Sequence, residues 1–256
     1  TGPRYWGAEL DLLVRVRGAG TTPVSLRFDR DGDVVIEVGP PLKGERPRGR
    51  GKRADLESIQ RAHGTGSIGP SGRWSKRELR ILDGVLSSLP KREKRVLRKL
   101  RFRKLSAPGR SPLQTGLYEM DSRGRYTLKL FRRAFRSETT GFAGGPTAPR
   151  SRLEWTIVHE LGHAVALWEA RQAFERGDFQ RGRRLQRNNQ VLRGYRKALG
   201  GKLGPTPYGR RSTMESFAEA YALFYLDPEA LRRFSRSVYD WFREGGHHVR
   251  FEDRSP

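Results

Sequence analysis

The chain has 256 residues, 35% of them apolar and 10% aromatic, enough for a packed core and against wholesale disorder. It carries 52 Lys+Arg against 28 Asp+Glu, a formal charge of +24 that would attract nucleic acid, anionic membrane surfaces or acidic protein segments. Cysteine is absent, which excludes disulfides and thiolate metal sites and leaves nitrogen and oxygen as the only metal ligands.

A genome that favours Arg accounts for the same charge without any partner. No stretch approaches the roughly 18 apolar residues of a membrane span. Thr1 to Trp6 contains no apolar run, so no signal peptide is expected, and a start at Thr1 reads as a piece of something longer.

Leu10 to Val16 and Val24 to Phe28 are rich in Leu and Val, and Asp29-Arg30-Asp31-Gly32-Asp33 leads into Val34 to Val38. An Asp-Gly between such runs predicts a hairpin, and with it a small antiparallel β appendage over residues 1–45. Residues 46–74 are rich in Gly, Pro and Arg and read as a basic linker, with room for a short helix near Ala54 to Ala62. Gly64, Gly66 and Gly69 spell G-x-G-x-x-G there. A dinucleotide site needs a strand before that motif and a helix after it, and the polar Gln60-Arg61-Ala62-His63 and the breaker Pro70-Ser71-Gly72 supply neither.

Residues 43–110 hold 21 Lys+Arg against 6 Asp+Glu, a surplus of 15 in about a quarter of the chain. Within them Leu79, Leu82 and Leu86 predict a helix over Ser75 to Leu89, and Val96, Leu97 and Leu100 a second over Lys91 to Leu105. Two amphipathic helices with solvated basic faces explain the charge. An arm facing nucleic acid or a membrane surface is the alternative.

Gly116 to Met120 and Arg125 to Phe131 read as a second hairpin, and 141–149 as a breaker-rich loop. Ser151 to Glu154 spells a capping box that starts a helix running through Trp168 or beyond. Further helices are predicted over Asp178 to Leu199, Thr213 to Leu226 and Pro228 to Glu244, with Pro228 suited to a first helical position after Asp227. The expectation for 75–256 is an α+β domain, mostly helical with a small mixed sheet.

His159-Glu160-Leu161-Gly162-His163 is H-E-x-x-H inside the capped helix. Four residues advance a helix by about 400°, so both imidazoles lie on one face, each able to offer a nitrogen to one Zn²⁺ at about 2.0–2.1 Å. Glu160 beside them can act as general base toward a metal-activated water. The third ligand is open between two carboxylates. Glu169 stands where a longer motif would place a third histidine, but Ala166 replaces the glycine of its turn. Glu215, in Glu215-Ser216-Phe217-Ala218-Glu219, is the better candidate, with Glu219 one turn on to accept the spare ring N–H of a zinc histidine. Ser212 to Glu215 also spells a capping box, which would give Glu215 a purely local role. His63, His247 and His248 read as surface groups.

His159 to Val165, then Pro207-Tyr208-Gly209-Arg210, then Glu215 to Ala220 together resemble the catalytic domain of the anthrax lethal factor family of gluzincin-type peptidases, over about Ser151 to Leu226. The resemblance implies a zincin-like fold and a zinc-dependent endopeptidase, with Zn²⁺ on His159, His163 and Glu215. Glu219 falls on the family's following acidic residue, and Tyr208 on the tyrosine that donates to the tetrahedral intermediate. It also implies that the strand Tyr126 to Phe131 forms an edge beside the cleft, where an extended peptide adds as another strand. Lethal factor cleaves signalling kinases near basic tails, whereas the charge here fits an acidic protein or peptide substrate.

The leading expectation is a hydrolase that forms the toxin or effector module of a larger secreted or injected protein. A DNA-associated metalloprotease directed by residues 43–110, and a zinc-bearing binding domain without turnover, are its rivals.

Overall fold

The structure is a computed structural model that describes residues 9–16, 20–28, 34–38, 55–69, 74–107, 109, 114–120, 125–136 and 151–248. The chain divides into two units, Thr1–Lys52 and Arg53–Pro256. In the first, strands β1 (Glu9–Val16), β2 (Gly20–Phe28) and β3 (Val34–Val38) form an antiparallel sheet in that order. Phe28 pairs with Val34 across the Asp-Gly segment, the register expected of a hairpin.

The second unit opens within the stretch expected to be linker. Helix α1 (Leu56–His63) is capped by Asp55 and Ser58 in a reciprocal capping box, and buries Ile59. The short strand β4 (Ile68–Gly69) follows, so the G-x-G-x-x-G glycines run from the end of α1 into a strand, opposite to the order a dinucleotide site requires. Ser75 and Glu78 form a second capping box at α2 (Lys76–Ser88), which buries Leu79, Leu82, Val85 and Leu86. Each such aliphatic side chain contributes about 1.5–3 kcal/mol on removal from water.

The helix expected over Lys91 to Leu105 does not form. A 3-10 turn spans Glu93–Leu97, and strand β5 covers Arg101–Lys104. Val96, Leu97 and Leu100 are buried as their hydrophobicity demands, but Lys99 adopts a left-handed φ of 60°, which ends the helical path. Beyond it Leu100 and Phe102 point inward while Arg103 is exposed, the two-residue alternation of a strand. Strands β6 (Gly116–Met120) and β7 (Tyr126–Leu130) pair antiparallel with Gly116 opposite Leu130. The mixed sheet runs β4-β5-β7-β6, with β4, β5 and β7 parallel. A short 3-10 turn at Arg132–Phe135 follows β7. The expected loop at 141–149 lies outside the described residues.

Helix α3 (Arg152–Ala166) starts at Ser151, whose hydroxyl accepts the Glu154 N–H at 3.1 Å. It is buried on every side from Trp155 to Ala166, which marks it as the central helix rather than a surface one. It ends at Leu167, and α4 (Trp168–Glu175) continues from there. The single helix expected over Asp178 to Leu199 is two, α5 (Phe179–Arg187) and α6 (Gln190–Leu199). Asn189 separates them: its Oδ1 caps α6 through Leu192 N–H at 3.0 Å, and its Nδ2 donates to the Ala166 carbonyl at 2.7 Å, joining α6 to the end of α3.

Helix α7 (Thr213–Leu226) is buried from Ser216 to Leu223 and packs along α3. A Cβ on Gly162 would lie 3.0 Å from Ala218 Cα, so glycine at that point sets the close approach of the two helices. The helix expected over Pro228 to Glu244 divides at Ser235 into α8 (Pro228–Phe234) and α9 (Arg236–Arg243). Asp227 caps α8 ahead of Pro228 through Ala230 N–H at 3.0 Å, and Ser235 caps α9. Helix outweighs strand in the described residues, giving an α+β unit. No described helix is long and apolar enough to cross a membrane.

Candidate metal centre

Spacing on α3 and capping on α7 bring three donors to one point. His159 and His163, one turn apart, place their Nε2 atoms 3.2 Å from each other. Glu215 stands in the first turn of α7, and its backbone N–H donates to Ser212 Oγ at 3.1 Å. Its carboxylate does not complete the box as those of Ser75–Glu78 do. It turns inward instead, with Oε2 3.1 Å from His159 Nε2 and 3.4 Å from His163 Nε2. That settles the local alternative for Glu215: the cap is made by Ser212, and the acidic side chain is directed at the histidines.

These distances fit a shared cation. Three ligands at 2.0–2.1 Å from a tetrahedral centre are separated by about 3.3–3.4 Å. The observed 3.1, 3.2 and 3.4 Å match that spacing closely. The set is two imidazoles and one carboxylate, a donor combination suited to zinc. Glu169 is absent from this cluster and instead lines a small pocket with Val165, Trp168 and Asn189.

No protein-family model and no curated protein sequence matches the chain.

Glu219, one turn beyond Glu215 on α7, lies with Oε1 2.7 Å from His159 Nδ1 and accepts Trp155 Nε1–H at 3.3 Å. It holds the far side of the His159 ring, which leaves Nε2 facing the cluster. Burial disfavours a charged His159, but its hydrogen bonding to the Glu215 and Glu219 carboxylates outweighs this and raises the imidazole to about 10. Burial likewise opposes the Glu215 carboxylate, and its contacts with both histidines overcome this and hold it well below the usual range. The His159 shift reflects the carboxylates gathered on that imidazole, and the Glu215 shift the two histidines that face it.

Glu160 is buried beside the histidines. Burial pushes its carboxyl upward, with the histidines opposing and the Glu215 charge reinforcing the shift, while the Tyr118 backbone amide favours the ionised form. The strand β6 passes directly over it: a Cβ on Gly116 would come within 2.4 Å of Glu160 Oε1. Only glycine leaves room for the carboxylate there.

Tyr208 precedes a 3-10 turn, Gly209–Arg211, and is 43% exposed at the mouth of the site. Its ring centroid is 5.8 Å from that of His159, and the Arg211 guanidinium lies 4.7 Å over its face. Partial burial and the charges of Glu215 and Glu160 raise its hydroxyl above the ordinary value, so it stays a donor. His159, His163 and Glu215 thus meet at one point, with Glu160 and Tyr208 nearby and Glu219 behind His159.

The strand expected as an edge at Tyr126 to Phe131 is interior, since β7 pairs with both β5 and β6. Among the described residues β4 and β6 are the outer strands, and β6 is the one beside Glu160. Arg171 was not foreseen either. It is buried, donates to the carbonyls of Val96 (2.8 Å) and Arg98, and lies 4.9 Å from the Tyr126 ring centroid, joining α4 to the sheet. Nothing in its local sequence separates it from the many solvated arginines.

His247 is only 2% exposed, so its reading as a surface group is corrected, and His248 is half-buried. Both contact Glu93, the single acid in the basic run Lys91 to Arg95. That isolation among cations was the available signal.

Proposed function

We propose that the chain is a zinc-dependent endopeptidase of the zincin-like type. The observation that carries the reading is the His159–His163–Glu215 trio at ligand spacing, with Glu160 and Tyr208 beside it. A bound zinc ion would supply Lewis acidity and make water nucleophilic at neutral pH. Glu160, buried with a raised pKa, takes the proton from the attacking water and passes it to the leaving amine. Tyr208 offers a hydroxyl to the oxyanion that develops on the scissile carbonyl. Glu219 keeps His159 oriented throughout. β6, outermost on its side of the sheet among the described residues, offers an edge for an extended substrate to add as a strand.

The exposed Arg210 and Arg211 follow Tyr208 and make this lip of the site basic, which favours an acidic peptide segment. The proposal of a toxin or effector module within a larger protein rests on the resemblance of residues 151–226 to the lethal factor family. The test is cleavage of a diverse peptide library by zinc-loaded protein, with Glu160→Gln as control. Cleavage that requires Glu160 and is richest at acidic sequences supports the reading; cleavage that survives the substitution contradicts it.

A further inference from the structure

A second convergence of histidine and carboxylate lies apart from these residues. Glu93 is fully buried, with Nε2 of His247 at 2.7 Å and Nε2 of His248 at 2.9 Å, both from the same oxygen, Oε1. The Tyr225 hydroxyl also donates to Oε1, and the Tyr221 hydroxyl donates to Oε2. A carboxylate oxygen offers about two lone-pair sites, so Oε1 has three partners for two places. None of the four partners is a Lys or Arg. Among the described residues, the carboxylate is therefore held by imidazoles and phenols, none of them a permanent cation.

We propose that Glu93, His247 and His248 form a second binding site for a divalent transition metal, with zinc the ion that the donor set suits. Their three ligand atoms all lie within 4.8 Å of one another. One cation would neutralise the buried carboxylate and replace two crowded N–H contacts on Oε1 with two metal–nitrogen bonds. Tyr225 is at hand as a fourth oxygen donor. The partly exposed His248 gives the ion a route from solvent.

The ion would act as a clamp. His247 and His248 lie in the 3-10 turn Gly246–His248, more than 150 residues after Glu93. Tyr221 and Tyr225 stand on α7, the helix that also carries Glu215 and Glu219. Metal binding would thus fasten the last described turn and the Glu93–Leu97 turn against the helix that bears the first site. The site does not depend on the peptidase reading.

The chain's histidine content makes the test clean. It has five histidines and no cysteine, so His159→Ala with His163→Ala leaves only His63, His247 and His248. His63 is already held 2.8 Å from Asp83. The double variant is stripped with chelator, reloaded with zinc chloride, gel-filtered and assayed for metal, with circular dichroism as the check of folding. One zinc per chain is expected, together with a zinc-dependent rise in melting temperature, and both should vanish on adding His248→Ala. A folded double variant that holds no zinc overturns the proposal, and so does zinc that survives His248→Ala.

If the double variant does not fold, the wild-type chain is compared with His248→Ala alone. The expected contents are two ions and one, and equal contents overturn the site. Should the first site be the one in error, the wild type would hold one zinc, sensitive to His248→Ala and insensitive to Glu215→Ala.

Discussion

Oε1 of Glu219 lies 2.7 Å from His159 Nδ1, on the side of the ring away from the Nε2 that faces Glu215. The two carboxylates occupy successive turns of α7 and face opposite nitrogens of one imidazole, so the helix both completes the proposed donor set and orients it. Loss of such an orienting partner typically costs 10–100-fold in metal affinity. Glu219→Ala is expected to weaken zinc by about that factor in a chelator competition, without abolishing binding. An unchanged affinity would mean that packing alone fixes His159.

Glu215→Ala removes a ligand rather than its support, so its zinc loss should exceed that of Glu219→Ala. Glu169→Ala should leave zinc content unchanged, because Glu169 is outside the donor cluster. Metal analysis of the two purified variants checks this directly. The reverse pattern would transfer the third-ligand role to Glu169.

Tyr208→Phe keeps the ring over which Arg211 lies but deletes the donor. Loss of one oxyanion donor costs about 10²–10³ in kcat. The expected result is a fall of that order with KM and zinc content nearly unchanged. A purely structural role would leave kcat unaffected while lowering the melting temperature.

Gly162→Ala tests the contact between the two site helices. Helix propensity favours alanine by about 1 kcal/mol, but overpacking costs about 1–3 kcal/mol. The neighbour is backbone, Ala218 Cα at 3.0 Å, and cannot swing aside. A net loss of stability is expected in urea unfolding, with the helices displaced and zinc bound more weakly. A stabilised variant would show that the interface can relax.

Tyr195 gives a prediction at high pH. It is buried, donates to the Ser216 carbonyl at 3.0 Å, and burial pushes its hydroxyl up to about 12 despite the bond to Ser216. A raised folded pKa on a group that is neutral when protonated contributes stability in full below the unfolded value, near 10. That contribution is lost as pH rises from about 10 toward about 12. Alkaline unfolding should be less steep in Tyr195→Phe; an unaltered profile would assign the transition to other groups.

The parts of the site that were legible in the sequence are those encoded locally. H-E-x-x-H needs only helical spacing, and Ser151 and Ser212 announce the two helices that carry the candidate ligands. Long-range relations were not legible. The placement of β6 over Glu160 depends on strand order, which no local pattern specifies. Val96, Leu97 and Leu100 have a spacing that suits a helix, and the left-handed Lys99 that breaks it carries no glycine signal. Asn189 and Ser235 break their helices by capping the next one, a role that competes with helix continuation at any such residue. The burial of Glu93 with His247 joins residues 154 positions apart in the chain.

The measurement that tests the central claim most directly is zinc content and peptide cleavage of wild type beside Glu160→Gln. The expected result is equal zinc in both proteins, with turnover in the variant lowered by a factor of about 10²–10⁴. Zinc that is bound while wild type and variant cleave equally would contradict the role of Glu160. Folded variants in which substitution of His159, His163 or Glu215 leaves zinc binding unchanged would contradict the metal centre itself.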